Sequence, residues 1–127
     1  MSLLLLNEDE LRQIITITEA ITALEQAFAA SAREQMNVPG SFRLNLPEVN
    51  GEVEVKGSYI QEAPYYVIKI SSTFRDNPSV HLPVEGGILA LFDAATGLLV
   101  GLMVDNGYLA SIRMGAVGAL AAKYLAN

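Results

Sequence analysis

The hydrophobic pattern of this chain changes its period twice, and those changes limit the folds that it can form. In EAITALEQAFAASAREQ, residues 19–35, apolar side chains recur at helical spacing. Between Ser41 and Asp105 the pattern is that of strands, and from Tyr108 onward it returns to a helix rich in small residues. Helices, then strands, then a helix predict an α+β domain.

Two helix starts are predicted near the N-terminus. Asn7 with Glu10, and Thr16 with Glu19, each have the spacing of a capping box. The second start is followed by one apolar stripe at helical spacing, formed by Ile17, Ile21, Leu24 and Phe28.

The middle of the chain predicts an antiparallel or mixed sheet of about five to six strands. Three strands are expected in SFRLNLP, EVEVKGSYI and YYVIKISSTF, with turn residues between them. Two further strands, GGILALFD and LLVGLMVD, flank a loop from Asp93 to Gly97 that is typical of a hairpin. Because both of these runs are continuously apolar, we expect the hairpin to be buried on both sides, one of them covered by another chain.

Composition excludes several classes of function. The chain has 127 residues, enough for one domain, and 51% of them are apolar, so we expect a packed core. The net charge of −6 provides no electrostatic surface for nucleic acid or an anionic membrane, and we expect neither partner. The chain has no cysteine and a single histidine, His81, so neither a metal site nor a catalytic histidine is expected.

The apolar N-terminus, MSLLLL, is not predicted to be a signal peptide. It has no basic segment before it, and the acidic NEDE follows it directly. No apolar run approaches the roughly 20 residues that a membrane-spanning helix needs. We therefore expect a cytoplasmic location.

Three cations lie within otherwise apolar elements and are the candidate binding residues. They are Arg43, Lys69 and Arg113. A cation inside an apolar element usually has an anionic partner, because its burial alone is costly. The three side chains could converge on a small carboxylate, or each could be an ordinary exposed cation. Spacing favours the second interpretation for Arg43 and leaves both open for Lys69 and Arg113.

Two other segments could be mistaken for functional motifs. Ser71 to Pro78 is predicted to be a polar loop, which could bind an anion but is more typical of a solvated turn. Gly115-Ala-Val-Gly118 lacks the G-x-G-x-x-G spacing and lies within a predicted helix. Its small residues are better explained by close helix packing. The residues alone predict an α+β domain that could bind a small anion, and they predict no more specific function.

An ordered set of features from residue 68 to residue 126 resembles the N-terminal domain of the ornithine cyclodeaminase/mu-crystallin family. These features are the IKIS strand, the Leu82-Pro83 step, the hairpin from Asp93 to Gly97 and the helix start LASIRMGA. Upstream, SFRLNLPEVNGEVEVK is similar to the branch that includes ectoine-utilisation proteins. The resemblance covers nearly the whole chain.

The resemblance implies a function and a site. Members are NAD(P)-dependent enzymes that act on amino acids or cyclic imines, and their N-terminal domain binds substrate and forms a homodimer. By position, Arg43, Lys69 and Arg113 match the residues that hold the substrate carboxylate. Val84 and Met114 match positions near the nicotinamide cofactor. The expected ligand is an amino acid or a cyclic imine, and the whole of residues 1–127 is expected to be one substrate-binding and dimerisation domain.

Some residues depart from the family pattern. Met114 and Val84 stand where many members have threonine, and Glu54, with Lys56 beside it, is one candidate for the acid near the substrate amine. The resemblance also implies a Rossmann domain after Asn127, which this sequence does not include. We therefore expect this chain alone to bind neither NAD nor NADP tightly and to be inactive. The alternative is a non-catalytic ligand-binding or assembly module of the same fold.

Overall fold

The computed structural model describes residues 3–37 and 39–125, and these form three α-helices and seven strands. The helices are α1 (Glu8–Ile14), α2 (Ile17–Ala32) and α3 (Tyr108–Leu125), and the strands are β1 (Leu4–Asn7), β2 (Met36–Asn37), β3 (Phe42–Leu46), β4 (Gly51–Ile60), β5 (Tyr65–Phe74), β6 (Glu85–Asp93) and β7 (Leu99–Val104). Short 3-10 helices cover Pro47–Val49 and Asn77–Val80. The predicted α+β class is confirmed.

The two predicted helix starts are present with both halves of their capping boxes. The side chain of Asn7 accepts a hydrogen bond from the Glu10 N–H at 2.9 Å, and Thr16 accepts one from Glu19 at 3.2 Å. In each case the glutamate carboxylate accepts the cap's own N–H in return. These local bonds satisfy N–H groups that have no partner inside the helix.

The strands form one mixed sheet. Its order is β1-β7-β6-β5-β4, and β2 and β3 both pair with β4. All pairings are antiparallel except that of β1 with β7. Strand β1 lies in the apolar N-terminal run and was not predicted, since a four-residue strand whose partner is distant in sequence leaves almost no local signal.

The predicted hairpin is confirmed, and the expectation that another chain covers one of its sides stays a prediction. Strands β6 and β7 pair across the loop, and Gly97 takes a left-handed φ of 74° there. The Asp93 carboxylate accepts the N–H groups of Ala95 and Thr96 at 2.8 and 3.0 Å, which hold its pKa below the usual value. Within the single chain, most residues of both strands are half-buried.

Ser71 to Phe74 were included both in the predicted strand YYVIKISSTF and in the predicted polar loop from Ser71 to Pro78; the strand is confirmed and the loop is wrong in its first half. Ser71 to Phe74 continue β5, pairing with β4 on one side and, through Thr73, with β6 on the other. The turn begins only at Arg75. Hydroxyl residues resemble a loop in sequence, but they fit a strand whose side chains alternate between two faces.

Gly115 and Ala116 lie inside α3, as predicted, and pack at a helix–helix contact. A Cβ added to Gly115 would lie 3.5 Å from Cδ1 of Ile17 on α2, and Ala116 has no exposed surface. None of the described helices is long and apolar enough to cross a membrane.

Strand alternation gives the sheet one polar face. Arg43, Glu54 and Ser71 lie side by side on β3, β4 and β5, and the rows before and after them are also polar. We define the polar face by nine residues: Arg43, Asn45, Glu52, Glu54, Lys56, Lys69, Ser71, Thr73 and Glu85.

The opposite face is apolar and partly uncovered. We define the apolar face by eight residues on five strands: Phe42, Leu44, Val53, Val55, Ile68, Ile70, Ile88 and Leu102. Phe42 and Leu44 are 59% and 52% exposed, and Ile70 near the centre is 37% exposed.

Candidate functional site

A cleft of about 160 Å³ lies on the polar face, between β5, β6 and the start of α3. The side chains of Lys69, Ser71 and Thr73 come from β5, and Glu85 comes from the first position of β6. The residues that lead into α3, Asp105 and Gly107, close the other side. The cleft therefore brings one lysine, two hydroxyls and two carboxylates together.

Gly87 keeps the floor of the cleft open. It pairs with Ser71, and a Cβ at this position would lie 2.5 Å from the Ile70 carbonyl oxygen and 3.1 Å from the Ser71 Cα. Real Cβ atoms are not found this close to backbone atoms. Only a glycine at this position therefore allows β5 and β6 to lie as close together as they do.

Asp105 anchors the start of α3 beside the cleft. It is 5% exposed, and its Oδ2 accepts the N–H of Leu109 at 2.9 Å while its carbonyl oxygen accepts that of Tyr108 at 3.0 Å. The Tyr108 hydroxyl donates to the Ile15 carbonyl oxygen at 2.8 Å, which fixes α3 to the segment between α1 and α2. Asp105 thus positions one wall of the cleft through bonds to backbone.

Lys69 is the predicted binding residue that lines the cleft. It is half-buried and lies between Lys56 on β4 and Leu89 on β6. Lys56 has an ion-pair partner, Glu54 at 3.1 Å, but Lys69 has none among the described residues. A lysine across from another lysine and without a carboxylate partner favours binding of an anion at this point.

Arg43 lies on the same face but does not line the cleft. Its guanidinium contacts two carboxylates on β4, Glu52 at 3.0 Å and Glu54 at 2.8 Å. The nearby Lys56, and Arg43 more weakly, hold the pKa of Glu54 below its usual value. Glu52 also pairs with Arg75 at 3.4 Å, so the cations and acids here form one connected network.

The remaining predicted site residues are not among the described residues that line the cleft. Arg113 is an exposed residue of α3 and is not among the cleft residues, and the carbonyl oxygen of Val84 accepts the Phe74 N–H at 2.8 Å. The backbone of Met114 is in α3, but its side chain lies outside the described part of the chain.

Among the residues that line the cleft, the sequence did not single out Glu85 or Asp105, and Thr73 was considered only within the segment from Ser71 to Pro78. A signal for Thr73 was present: polar residues occupy every second position in Glu52-Glu54-Lys56 and in Lys69-Ser71-Thr73. The alternation shows that these side chains share a face. It does not show that Glu85 and the start of α3 lie against that face.

The cleft does not fit a dinucleotide. Its volume of about 160 Å³ is below the roughly 300–1,000 Å³ of pockets for drug-sized ligands, so it suits a molecule about the size of one amino acid. Within residues 3–37 and 39–125, no three histidine or acidic side chains lie together as a metal site would require.

Comparisons with known proteins agree on one family. Residues 2–127 match the model of the ornithine cyclodeaminase/mu-crystallin family. Over 97% of its length the chain is 42% identical to a putative dehydrogenase of Rhizobium meliloti (strain 1021), of which it covers 38%.

Solved structures agree in fold and extent. An archaeal alanine dehydrogenase dimer with bound NAD superposes with a TM-score of 0.91 at 29% identity, over all of this chain and 38% of that one. The Δ1-pyrroline-2-carboxylate reductase of Thermococcus litoralis, in complex with NADH and L-proline, gives a TM-score of 0.89 at 28% identity, over 98% of this chain and 38% of that one. The chain thus spans about 38% of the length of these relatives. Its sequence and its fold place it in the ornithine cyclodeaminase/mu-crystallin family.

Proposed function

We propose that this chain is the substrate-binding and subunit-association part of an NAD(P)-dependent enzyme that acts on small amino or imino acids. The observation that carries the proposal is Lys69, a lysine without an ion-pair partner among the described residues, in a cleft sized for one amino acid. The relatives support the same class, because they include an alanine dehydrogenase and a reductase bound to L-proline.

In this proposal, the polar face holds the ligand by its carboxylate. The Lys69 ammonium provides the positive charge, and the hydroxyls of Ser71 and Thr73 provide hydrogen bonds from the same strand. A carboxylate fixed in this way orients the adjacent carbon, so a later reaction at that carbon becomes a positioned step. The nicotinamide cofactor that the relatives bind would supply the hydride chemistry.

Arg43 and Arg113 are proposed to assist, on the strength of the family resemblance. Arg43 already contacts Glu52 and Glu54, so it could reach a ligand only by exchanging one carboxylate partner for another. Such an exchange preserves the number of ion pairs on Arg43. Arg113 has an exposed side chain that is available to a ligand or to another part of the protein.

The apolar face is proposed to associate with a second copy of the chain. It is continuous over five strands and exposes large side chains, and contiguous apolar patches of this kind usually mark an interface. One of the similar structures is a dimer. In a symmetric dimer the same patch meets itself, which suits a face with few charges.

Calorimetry with Lys69→Met tests the substrate-binding role. Titrating the chain with L-alanine and L-proline should give binding that falls about thirtyfold or more in the variant, the scale of one lost charge-assisted contact of about 2 kcal/mol. Lys56→Met is the matched control. It removes the same charge from the neighbouring strand, but from a lysine that already has Glu54 as partner, and binding should change less than about threefold.

Equal losses in the two variants would show a general effect of charge and would contradict a site at Lys69. Undetectable binding to both variants and to the parent chain, together with stable self-association, would favour the alternative of an assembly module.

Turnover tests the enzymatic part of the proposal. A protein that joins this chain to a dinucleotide-binding domain should reduce a cyclic imino acid with NADH or NADPH, and the chain alone should not. Reduction by the chain alone would contradict the division of roles between the two domains. Failure of the joined protein to bind either cofactor would contradict the function as a whole.

A further inference from the structure

Two Asn-Gly pairs occur in this chain, and in each of them the asparagine has a left-handed backbone. They are Asn50-Gly51 and Asn106-Gly107, with φ of 51° and 50° at the asparagines. An asparagine that precedes glycine is prone to deamidation, because no Cβ hinders the approach of the glycine nitrogen to the asparagine side chain. The two sites share this local sequence, so the structure around each one decides how readily it reacts.

The first pair is held inside the sheet. Gly51 is buried and pairs with both β3 and β5. The Asn50 carbonyl oxygen accepts the Arg75 N–H at 3.2 Å, and the Asn50 side-chain amide donates to the Asp76 carboxylate at 3.2 Å. The reaction at Asn50 therefore requires these contacts and the strand pairing to open first, which costs free energy.

The second pair lies in the turn before α3 and is much less constrained. Asn106 is exposed, and within the part of the chain that the structure describes the Gly107 N–H donates no hydrogen bond. This N–H can lose its proton to solvent without any strand having to separate. The Gly107 nitrogen is therefore available to attack the neighbouring side chain.

The residues on either side of the second pair are fixed. Asp105 is 5% exposed and is bonded to the first turn of α3. The Tyr108 hydroxyl donates to the backbone just before α2, and the Arg12 guanidinium lies 4.3 Å from the centre of its ring. The peptide between Asn106 and Gly107 is thus the loosely held part of an otherwise anchored turn.

The Asn106 side chain contacts α1. Arg12, whose Nε lies 2.7 Å from the Glu8 carboxylate, and more weakly the Asn106 amide, hold the pKa of Glu8 below its usual value. A carboxylate at position 106 would replace this N–H donor with a second negative charge beside Glu8. A change at this position would therefore weaken the contact between α1 and the turn.

We infer that Asn106 is a site of spontaneous deamidation in the folded protein, that the sheet protects Asn50 from the same reaction, and that the product loosens the turn before α3. The Gly107 nitrogen attacks Cγ of Asn106, and the new C–N bond closes a cyclic succinimide. The side-chain nitrogen leaves as ammonia, which carries away the proton of the Gly107 N–H. Water then opens the ring at one of its carbonyl carbons and returns a proton to the nitrogen. The product is aspartate, or isoaspartate with a main chain longer by one carbon.

Ageing the chain in mildly alkaline buffer, followed by tryptic peptide mass spectrometry, tests both sites in one sample. Trypsin cleaves between Asn50 and Asn106, so they fall in different peptides. In the folded chain Asn106 should convert from amide to acid about tenfold or more faster than Asn50, the ratio for an opening cost of about 1.4 kcal/mol at the sheet. In denaturant the two rates should become similar, because the sheet no longer protects Asn50.

Asn106→Ser is the matched variant, since it removes the reacting amide and keeps a small polar side chain. Its peptide should show no conversion, because the other asparagine of that peptide, Asn77, precedes Pro78, which has no N–H to attack with. The melting temperature of the parent chain should fall as Asn106 converts, whereas that of the variant should stay constant over the same ageing.

Two results would overturn the protection by the sheet and the site itself. One is equal conversion of Asn50 and Asn106 in the folded chain, and the other is no conversion of Asn106 over a time in which the denatured chain reacts. A constant melting temperature while Asn106 converts would overturn the effect on the turn and leave the modification site in place.

Discussion

The two faces of the central sheet are built from the same strands, yet one carries paired charges and the other carries exposed apolar side chains. On the polar face, four ion pairs connect Arg43, Arg75 and Lys56 to the carboxylates of β4. On the apolar face, Ile70 is 37% exposed although it lies between Val55 and Ile88 in the middle of the sheet. Most charges of the polar face have partners on that face, whereas large side chains of the apolar face remain exposed to water.

This difference shows where a ligand and a partner would each be expected. Charged residues that neutralise one another leave only the cleft with unpaired charge, so binding on the polar face is confined to a small site. An open apolar face has no directional contacts and stabilises a partner in proportion to the area buried, at roughly 25 cal/mol per Å². The two proposed roles therefore fall on opposite sides of β5.

The largest expected effect comes from placing a charge on the apolar face. Ile70→Glu should weaken self-association about a hundredfold, since burying an unpaired carboxylate in each half of a symmetric interface costs about 3 kcal/mol or more. Sedimentation velocity across a range of concentrations measures the shift from dimer to monomer, and circular dichroism checks that the variant is folded.

Val80→Glu is the matched control for this change. Val80 is 61% exposed in the 3-10 helix and lies outside the apolar face, so the same substitution there should leave association unchanged. The proposed association through the apolar face would be contradicted if the parent chain is monomeric at all concentrations. It would also be contradicted if the two variants have equal effects.

The next effect concerns the floor of the cleft on the polar face. Gly87→Ala should lower the free energy of unfolding by about 2 kcal/mol, because the new methyl group would meet the backbone of β5 at 2.5 Å and the strands would have to separate. Gly118→Ala is the opposite case: among the described residues nothing lies within 4 Å of its added Cβ. In helix α3 this change should raise stability by roughly 0.5–1 kcal/mol. Denaturant midpoints measure both, and a neutral Gly87→Ala would contradict the close approach of β5 and β6.

The smallest effect is the pH dependence of the ion pairs around Glu54. Its pKa is lowered from the ordinary 4.5 by Lys56 and Arg43, so the folded state gains stability from this group above pH 4.5. That contribution is lost as the pH falls through the lowered folded-state pKa. Glu54→Gln should therefore be less stable than the parent chain at neutral pH, and the two should converge in acid. Thermal unfolding between pH 3 and pH 7 measures this, and a constant difference over the whole range would contradict it.

Local signals predicted the elements more completely than they predicted the site. Both capping boxes, at Asn7 and Thr16, are present as expected, because a cap needs only residues three positions apart. The hairpin at Asp93 is equally local. Strand β1 was missed, since its pairing with β7, a strand distant in sequence, leaves almost no local pattern.

The candidate site shows the same limit more sharply. Lys69 was singled out because a cation between isoleucines is conspicuous in sequence, and the structure places it in the cleft. Glu85 was passed over, since a glutamate at the start of a strand is ordinary until Gly107 is seen beside it. Arg43 and Arg113 were chosen on the same grounds as Lys69, but they do not line the described cleft.

The sequence by itself determined the class of fold, the helix starts, the hairpin and the family, because all of these depend on order and spacing along the chain. Only the tertiary structure decided which residues share a cleft. The register sets Thr73 against Glu85, and the turn before α3 brings Gly107 to the same cleft, although Thr73 and Gly107 are more than 30 residues apart. Such a meeting depends on the packing of whole elements, and no short stretch of sequence encodes it.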